Sequence, residues 1–301
     1  MKKLFFVFTL AALAMTARAA HKLEVVATLP DLGAVAAEVG GALINLNTLA
    51  NPAEDPHFVD PRPSFAKILN RADLLIEGGA ELEIGWMPPL IQNARNARIL
   101  PGQPGHFIAA EGMEIKERPT GPVDRSQGDV HPSGNPHFMM DPINAGVLAG
   151  RLAERLGKLD PEHAAQFTAN AQKFTDELKA ALPDLEKMIA PMKGQKVITY
   201  HKSFTYFMDR FGLELFDTIE PKPGIEPSPS HITSLIQKAK GAGIKLVLIE
   251  ENRPRKTPER VARDIGAKVV VLHHMPESGP GRYLPWMRGL VEAIVQASKN
   301  P

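Results

Sequence analysis

With 35 Lys and Arg against 34 Asp and Glu, this 301-residue chain carries a formal net charge of +1, without the basic excess that a nucleic-acid partner requires. Its length gives ample core for one large or two medium domains. It contains no Cys, so disulfides and thiolate metal sites are excluded, and any metal must be held by His, Asp, Glu or backbone oxygen.

Residues 1–19 read as a cleaved signal peptide. Lys2 and Lys3 precede an apolar run over 4–15, and Ala17-Arg18-Ala19 fits a small-residue cleavage site. The run is too short for a permanent membrane span, and no Cys follows it to carry a lipid. A freely dissolved protein of a bacterial periplasm is expected. The rest divides into an N-terminal lobe over 20–160, a bridging helix over 161–190 and a C-terminal lobe over 191–301.

In the first lobe, 22–29 reads as a strand ended by Pro30, 31–40 as a helix, and 43–49 as an alternating second strand. The next loop holds Asp55-Pro56-His57-Phe58-Val59-Asp60-Pro61. A short helix over 64–71, a buried strand over 73–77 and a helix over 83–96, broken at Pro88-Pro89, follow. Residues 101–136 form a loop rich in Gly, Pro and polar residues, with a short strand near 107–109. His106 and His131 in this loop are expected to be solvated surface residues, with a weaker role open to His131 in delivering metal. The loop ends on Asn135-Pro136-His137-Phe138-Met139-Met140-Asp141-Pro142, a near repeat of the first histidine loop. The flanking prolines exclude helix and hold each His on stiff backbone. The Asp three or four residues later, Asp60 or Asp141, is placed to accept the second imidazole N–H.

An amphipathic helix covers 142–156. Asp160-Pro161 starts the bridging helix, which Pro183 is expected to kink or split. The second lobe repeats the alternation, with strands over 196–200, 213–219, 245–249 and 268–272 and helices over 204–211, 230–240, 257–265 and 284–298. Such alternation means an α/β fold with parallel sheets, whose ligands sit beyond the carboxyl ends of the strands. His57, His201 and His273 each come directly after a predicted strand, and His137 closes the first lobe. If the lobes face each other across the bridging helix, all four imidazoles can meet in the interlobe cleft. Four neutral imidazoles suit tetrahedral Zn2+ better than the oxygen-seeking Mn2+ or Mg2+. A shell closed by protein ligands binds rather than catalyses.

On these residues the chain resembles the substrate-binding proteins of zinc- and manganese-type ABC importers, a family that includes metal-binding adhesins. The resemblance covers nearly the whole mature chain. It runs through Asp55-Pro56-His57, residues 63–74, residues 135–142, Tyr200-His201 to Tyr206, Glu226-Pro227-Ser228-Pro229 and the closing strand–turn–helix. It implies two α/β lobes joined by one long helix, with the metal site in the interlobe cleft. It also implies a non-enzymatic monomer that delivers zinc to an ABC permease in the inner membrane, with a metallochaperone as a further partner. The family's first three ligands fall on His57, His137 and His201. Manganese-type members carry Glu at the third position, so His201 implies zinc. The fourth ligand, an Asp at the end of the last strand, falls on His273, with His274 or water as alternatives. Without that carboxylate the site keeps the metal's full charge, which opens it to Ni2+ or Cu2+. Neutral ligands also imply that metal is lost as pH falls through the histidine range, near ~6.5. Two other readings stay open. One is a three-His zinc hydrolase with Glu250 or Glu251 as base. The other is a two-lobed binder of an organic ligand such as a siderophore or cobalamin.

Overall fold

The computed structural model describes residues 22–121, 128 and 131–299; the expected signal peptide lies outside them. Strand β1 (Leu23–Ala27) is an apolar run buried along most of its length. A central parallel strand must be so, because helices cover both faces of its sheet. Helix α1 (Pro30–Gly40) follows, with Pro30 in the first turn, where its missing N–H costs nothing. Strand β2 (Ile44–Thr48) buries Ile44 while its asparagines reach outward, as suits an edge. Helix α2 (Pro63–Arg71), strand β3 (Leu74–Glu77), helix α3 (Met87–Ala94) and strand β4 (His106–Ile108) complete the first sheet, in the order β2-β1-β3-β4. All its pairings are parallel, with Val25 opposite both Leu46 and Leu74.

Helix α4 (Pro142–Leu159) and the long α5 (Ala164–Ile189) lead to the second sheet. This is built from β5 (Lys196–Thr199), α6 (Thr205–Phe211), β6 (Glu214–Thr218), α7 (Pro229–Ala239), β7 (Leu246–Glu250), α8 (Lys256–Ile265) and β8 (Lys268–Leu272). Its order, β6-β5-β7-β8, is the first sheet's order again, also all parallel. In each half the connections run first to one side of the opening strand and then to the other. That reversal leaves a crevice at the strands' carboxyl ends, between β1 and β3 and between β5 and β7. Helix α9 (Tyr283–Lys299) closes the chain by packing against α5 and β8.

The expected fold class is what is observed: two parallel sheets with surrounding helices and one long helix. Three details differ. The prolines at 88 and 89 do not break a helix; they lie in the first turn of α3, whose amides have no intrahelical acceptor in any case. Pro183 does not split α5. It lies on the exposed face, as does Lys179 one turn earlier, so the carbonyl it orphans can turn to water. The short strand of the 101–136 stretch, β4, starts at His106, which is no solvated residue. Its Nε2 bonds Glu77 on the neighbouring strand.

One apolar cluster runs through both lobes. It joins Val25 and Leu75 of the first sheet to Leu152 and Phe174 of the two linking helices, and to Val197, Leu248 and Tyr283 beyond. A smaller cluster, with Ile198, Ile232 and Val261, covers the other face of the second sheet. Among the described residues, no helix is long and apolar enough to cross a membrane.

Candidate metal site

His57 follows β2 on its proline-bounded loop. Asp55, two residues earlier, accepts both its backbone N–H (3.0 Å) and its Nδ1–H (2.8 Å). The indole of Trp86 donates to the carbonyl of Pro56 (3.0 Å), which pins the loop to the first lobe. His201 stands directly after β5 and gives its Nδ1–H to Glu220, which follows β6 (2.9 Å). His137 has its backbone N–H held by the side chain of Asn135 (3.0 Å). Asn135 is itself buried, and it donates to Glu117 and to the carbonyl of Lys202 while its own carbonyl accepts from Tyr206. The loop from the first lobe is thus tied to α6 of the second just where it presents His137.

These three histidines come together. Each offers a ring nitrogen, and the three nitrogens lie within 4.8 Å of one another. The ring centroids are 5.2 to 5.3 Å apart, and Nε2 of His137 stands 3.2 Å from Nε2 of His201. Both fixed Nδ1 protons point away from the group, so the Nε2 lone pairs of His57 and His201 point into it. That is the arrangement by which an outer carboxylate sets the tautomer of a ligand imidazole. Burial, reinforced by the neighbouring imidazoles of His201 and His57, holds His137 well below the usual histidine range. His137 is therefore neutral. For Asp55, burial alone would raise the carboxyl. The hydrogen bonds from His57 and the nearby charge of Arg253 outweigh it, and the group stays well below the usual carboxylate range.

Arg253, which sequence reasoning did not single out, joins the two supporting carboxylates. It lies just beyond β7, and its Nη1 is 3.1 Å from Asp55 and 3.5 Å from Glu220. One guanidinium therefore bridges a first-lobe and a second-lobe carboxylate, and its plane lies over the Tyr200 ring, 5.5 Å from the centroid.

His273 is not with the other three. Its side chain is 76% exposed, and its Nδ1 bonds Glu251 at 2.7 Å. The cause is strand parity: Leu272 ends β8 pointing into the core, so the next side chain points out and the one after it points in. His274 is accordingly buried, and its Nε2 donates to the carbonyl of Glu54 (3.1 Å). The expected imidazole acceptors also differ. Asp55 upstream, not Asp60, holds His57. Asp141 caps α4 through the N–H of Ile143 (2.9 Å) and takes both nitrogens of Arg210 (2.9 and 2.8 Å). Of the two suggested hydrolytic bases, Glu250 is buried and accepts from Ser203 through Oε1 (2.6 Å), and Glu251 holds His273.

His131 was expected to be solvated, yet its Nε2 lies 3.2 Å from Nε2 of His57, and the two rings stack 5.2 Å apart. No pattern around it in the sequence marks that placement. With His137, His201, Glu117, Asn135 and Lys202 it lines a cavity of about 110 Å³ beside the group.

The profile of a family described as the periplasmic zinc-uptake complex component A, ZnuA, matches residues 25–297. The high-affinity zinc uptake system protein ZnuA of Brucella abortus (strain 2308) is 30% identical over 161 residues, 52% of this chain and 48% of that protein. The match thus spans about half the length of the Brucella relative. The manganese ABC transporter substrate-binding lipoprotein PsaA of Streptococcus pneumoniae (strain TIGR4) is 25% identical over 245 residues, 79% of this chain and 76% of that protein. A crystal structure of ZnuA superposes with a TM-score of 0.77 at 24% identity, covering 92% of this chain and 99% of that one. The Pseudomonas aeruginosa protein FpvC in complex with Ni2+ superposes with a TM-score of 0.75 at 24% identity, covering 93% and 97%.

Proposed function

Since the chain belongs to the ZnuA family of periplasmic zinc-uptake components, we propose that it captures Zn2+ in the periplasm and hands it to an ABC permease of the inner membrane. His57, His137 and His201 are the ligands in this reading. The observation that carries it is the convergence of three imidazoles from both lobes, two of them aimed by carboxylates. Such donors prefer zinc and its later-row neighbours to manganese, which favours oxygen. The ion is cargo and is not transformed. Asp55, Glu220 and Glu250 are grouped about Arg253, so carboxylates outnumber the guanidinium beside the imidazoles and offset part of the dication's charge. Export through a cleaved signal over 1–19, a freely dissolved monomer without a lipid, and loading by a metallochaperone complete the reading.

The test is metal content by mass spectrometry after stripping the protein and refilling it from an equimolar mixture of Zn2+, Ni2+, Cu2+ and Mn2+. One zinc per chain is expected, lost when His57, His137 and His201 are all replaced by Ala. Retention by that variant would remove the assigned site. Selective uptake of manganese would remove the zinc assignment. Ni2+ as the retained ion would keep the site and change the cargo, an outcome to which the FpvC structure gives a precedent.

A further inference from the structure

We propose that His131 is a fourth metal ligand, closing an all-imidazole shell with His57, His137 and His201; this rests on the metal-binding reading above. The four Nε2 atoms form two pairs, His57 with His131 and His137 with His201, each 3.2 Å apart. An ion held tetrahedrally at ~2.0–2.1 Å from each nitrogen sets nitrogen–nitrogen edges of about 3.3–3.4 Å. Both pairs already stand near that edge length.

Each pair holds one fixed and one adaptable imidazole. His57 and His201 give their Nδ1 protons to Asp55 and Glu220, so their Nε2 atoms are acceptors. Without metal, His131 and His137 satisfy them by donating from Nε2. Moving those two protons to Nδ1 turns both donors into ligands. His131 meets the group through His57, whereas the nitrogens that all lie within 4.8 Å of one another are those of His57, His137 and His201, so the His131 side chain must swing inward to complete the shell.

The segment carrying His131 is built into the site. Ser133 donates its N–H (3.1 Å) and its hydroxyl (2.6 Å) to Glu81 of the first lobe, and Gly134 donates its N–H to the carbonyl of His131 (3.0 Å). Gly134 has φ +102°, and a Cβ there would stand 2.5 Å from the carbonyl oxygen of Lys116. At Gly128 a Cβ would stand 2.2 Å from the carbonyl oxygen of Pro223, in the second lobe. Backbone is therefore packed on backbone on both sides of His131, and only Gly permits it. The rival ligands are placed otherwise: His273 faces solvent, and His274 is tied to the carbonyl of Glu54.

Co2+ is the probe, because its visible ligand-field bands are intense in four-coordinate sites and weaken and shift when a ligand is replaced by water. Wild type, His131→Ala, His131→Gln, His273→Ala and His274→Ala are compared by Co2+ spectrum and by competition for Zn2+, with circular dichroism confirming folding. Wild type should give the four-coordinate spectrum. Both His131 variants should bind one ion with altered bands and a zinc affinity lower by at least the ~10–100-fold that even an outer-shell partner is worth. The His273 and His274 variants should match wild type. Unaltered bands and affinity in the His131 variants, or the same loss in His274→Ala, would overturn the assignment. A wild-type protein that takes up neither ion would overturn the metal reading itself.

Discussion

Glu220→Gln should weaken zinc binding and Glu251→Gln should not, although both carboxylates lie just beyond strands and each holds a histidine Nδ1. Glu220 is buried and supports His201 at 2.9 Å; Glu251 supports His273, whose side chain is 76% exposed, at 2.7 Å. Gln keeps the shape of Glu and can still accept from His201, so the substitution removes charge and leaves packing intact. A carboxylate facing Nδ1–H makes Nε2 the stronger donor, and losing such a partner costs metal affinity about 10–100-fold, or roughly 1.4–2.7 kcal/mol. The upper part of that range is expected. The change also leaves Arg253, 3.5 Å away, facing an amide, which adds uncompensated positive charge beside a dication. The assay is competition with a chelating indicator near neutral pH. An affinity for Glu220→Gln within about twofold of wild type, far below the outer-shell effect, would refute the role given to the buried carboxylate. An equal loss in Glu251→Gln would refute the placement of His273 outside the site.

Asp141→Ala removes a helix cap and one half of a bidentate pair with Arg210, whose side chain is 31% exposed. Loss of about 3 kcal/mol is expected by urea unfolding, the low end for a broken buried pair because Arg210 keeps some solvent; a loss below ~1 kcal/mol, within the range of a cap alone, would show that the pair contributes nothing. Zinc at about a thousandfold above its dissociation constant should stabilise the protein by about 4 kcal/mol, and the variant lacking His57, His137 and His201 should show no shift in thermal midpoint. The metal-free protein should gain stability as pH rises between about 4.5 and 6, the net of opposed groups. Burial and the neighbouring imidazoles hold His131 down to about 3 and His137 well below 6.5, and burial lowers His274, so their contribution is complete above the unfolded value and falls as pH drops below it. Burial raises Asp31 to about 6 and Glu83 to about 7, so theirs is complete below the unfolded carboxyl value and falls as pH rises. In Glu83→Gln one opposing group is gone, and the urea midpoint should climb more steeply with pH across that window than in wild type; a slope no steeper than wild type's would refute the role given to Glu83.

The parallel sheets and their strands were legible because each strand is a short apolar run bounded by Gly, Pro or a cap, and period and punctuation are local properties. His57 and His201 were legible for a related reason, since carboxyl ends of parallel strands are where such sheets expose side chains. His273 shows where this reasoning needed one more step. Being next after a strand is not enough; the parity of the last buried residue, Leu272, decides which way the side chain turns. That signal was present in the sequence. The placement of His131 was not, because a loop without periodicity is positioned by distant partners, here Glu81 and the backbone of Pro223. Arg253 escaped for the same reason: the carboxylates it joins are Asp55 and Glu220, far from it in the chain and on different lobes.

The way the lobes are joined bears on how an ion leaves. A cleft protein that closes on its cargo needs a hinge that yields, but here one apolar cluster passes through α4, α5 and α9 from one sheet to the other. Polar ties cross the same boundary at Asp141–Arg210 and at Tyr206–Asn135. Much of the ordering of the ligands is therefore complete before metal arrives, which favours tight binding. Arg253 adds a coupling. It contacts the carboxylate that aims His57 from one lobe and the carboxylate that aims His201 from the other. Moving the lobes apart would break the Arg253–Asp55 contact and draw His201 away from His57 and His137, while Asp55 and Glu220 keep their hold on their own imidazoles. On the zinc-carrier reading proposed above, opening of the cleft and loss of the ion would be a single event, because the three imidazoles come from both lobes.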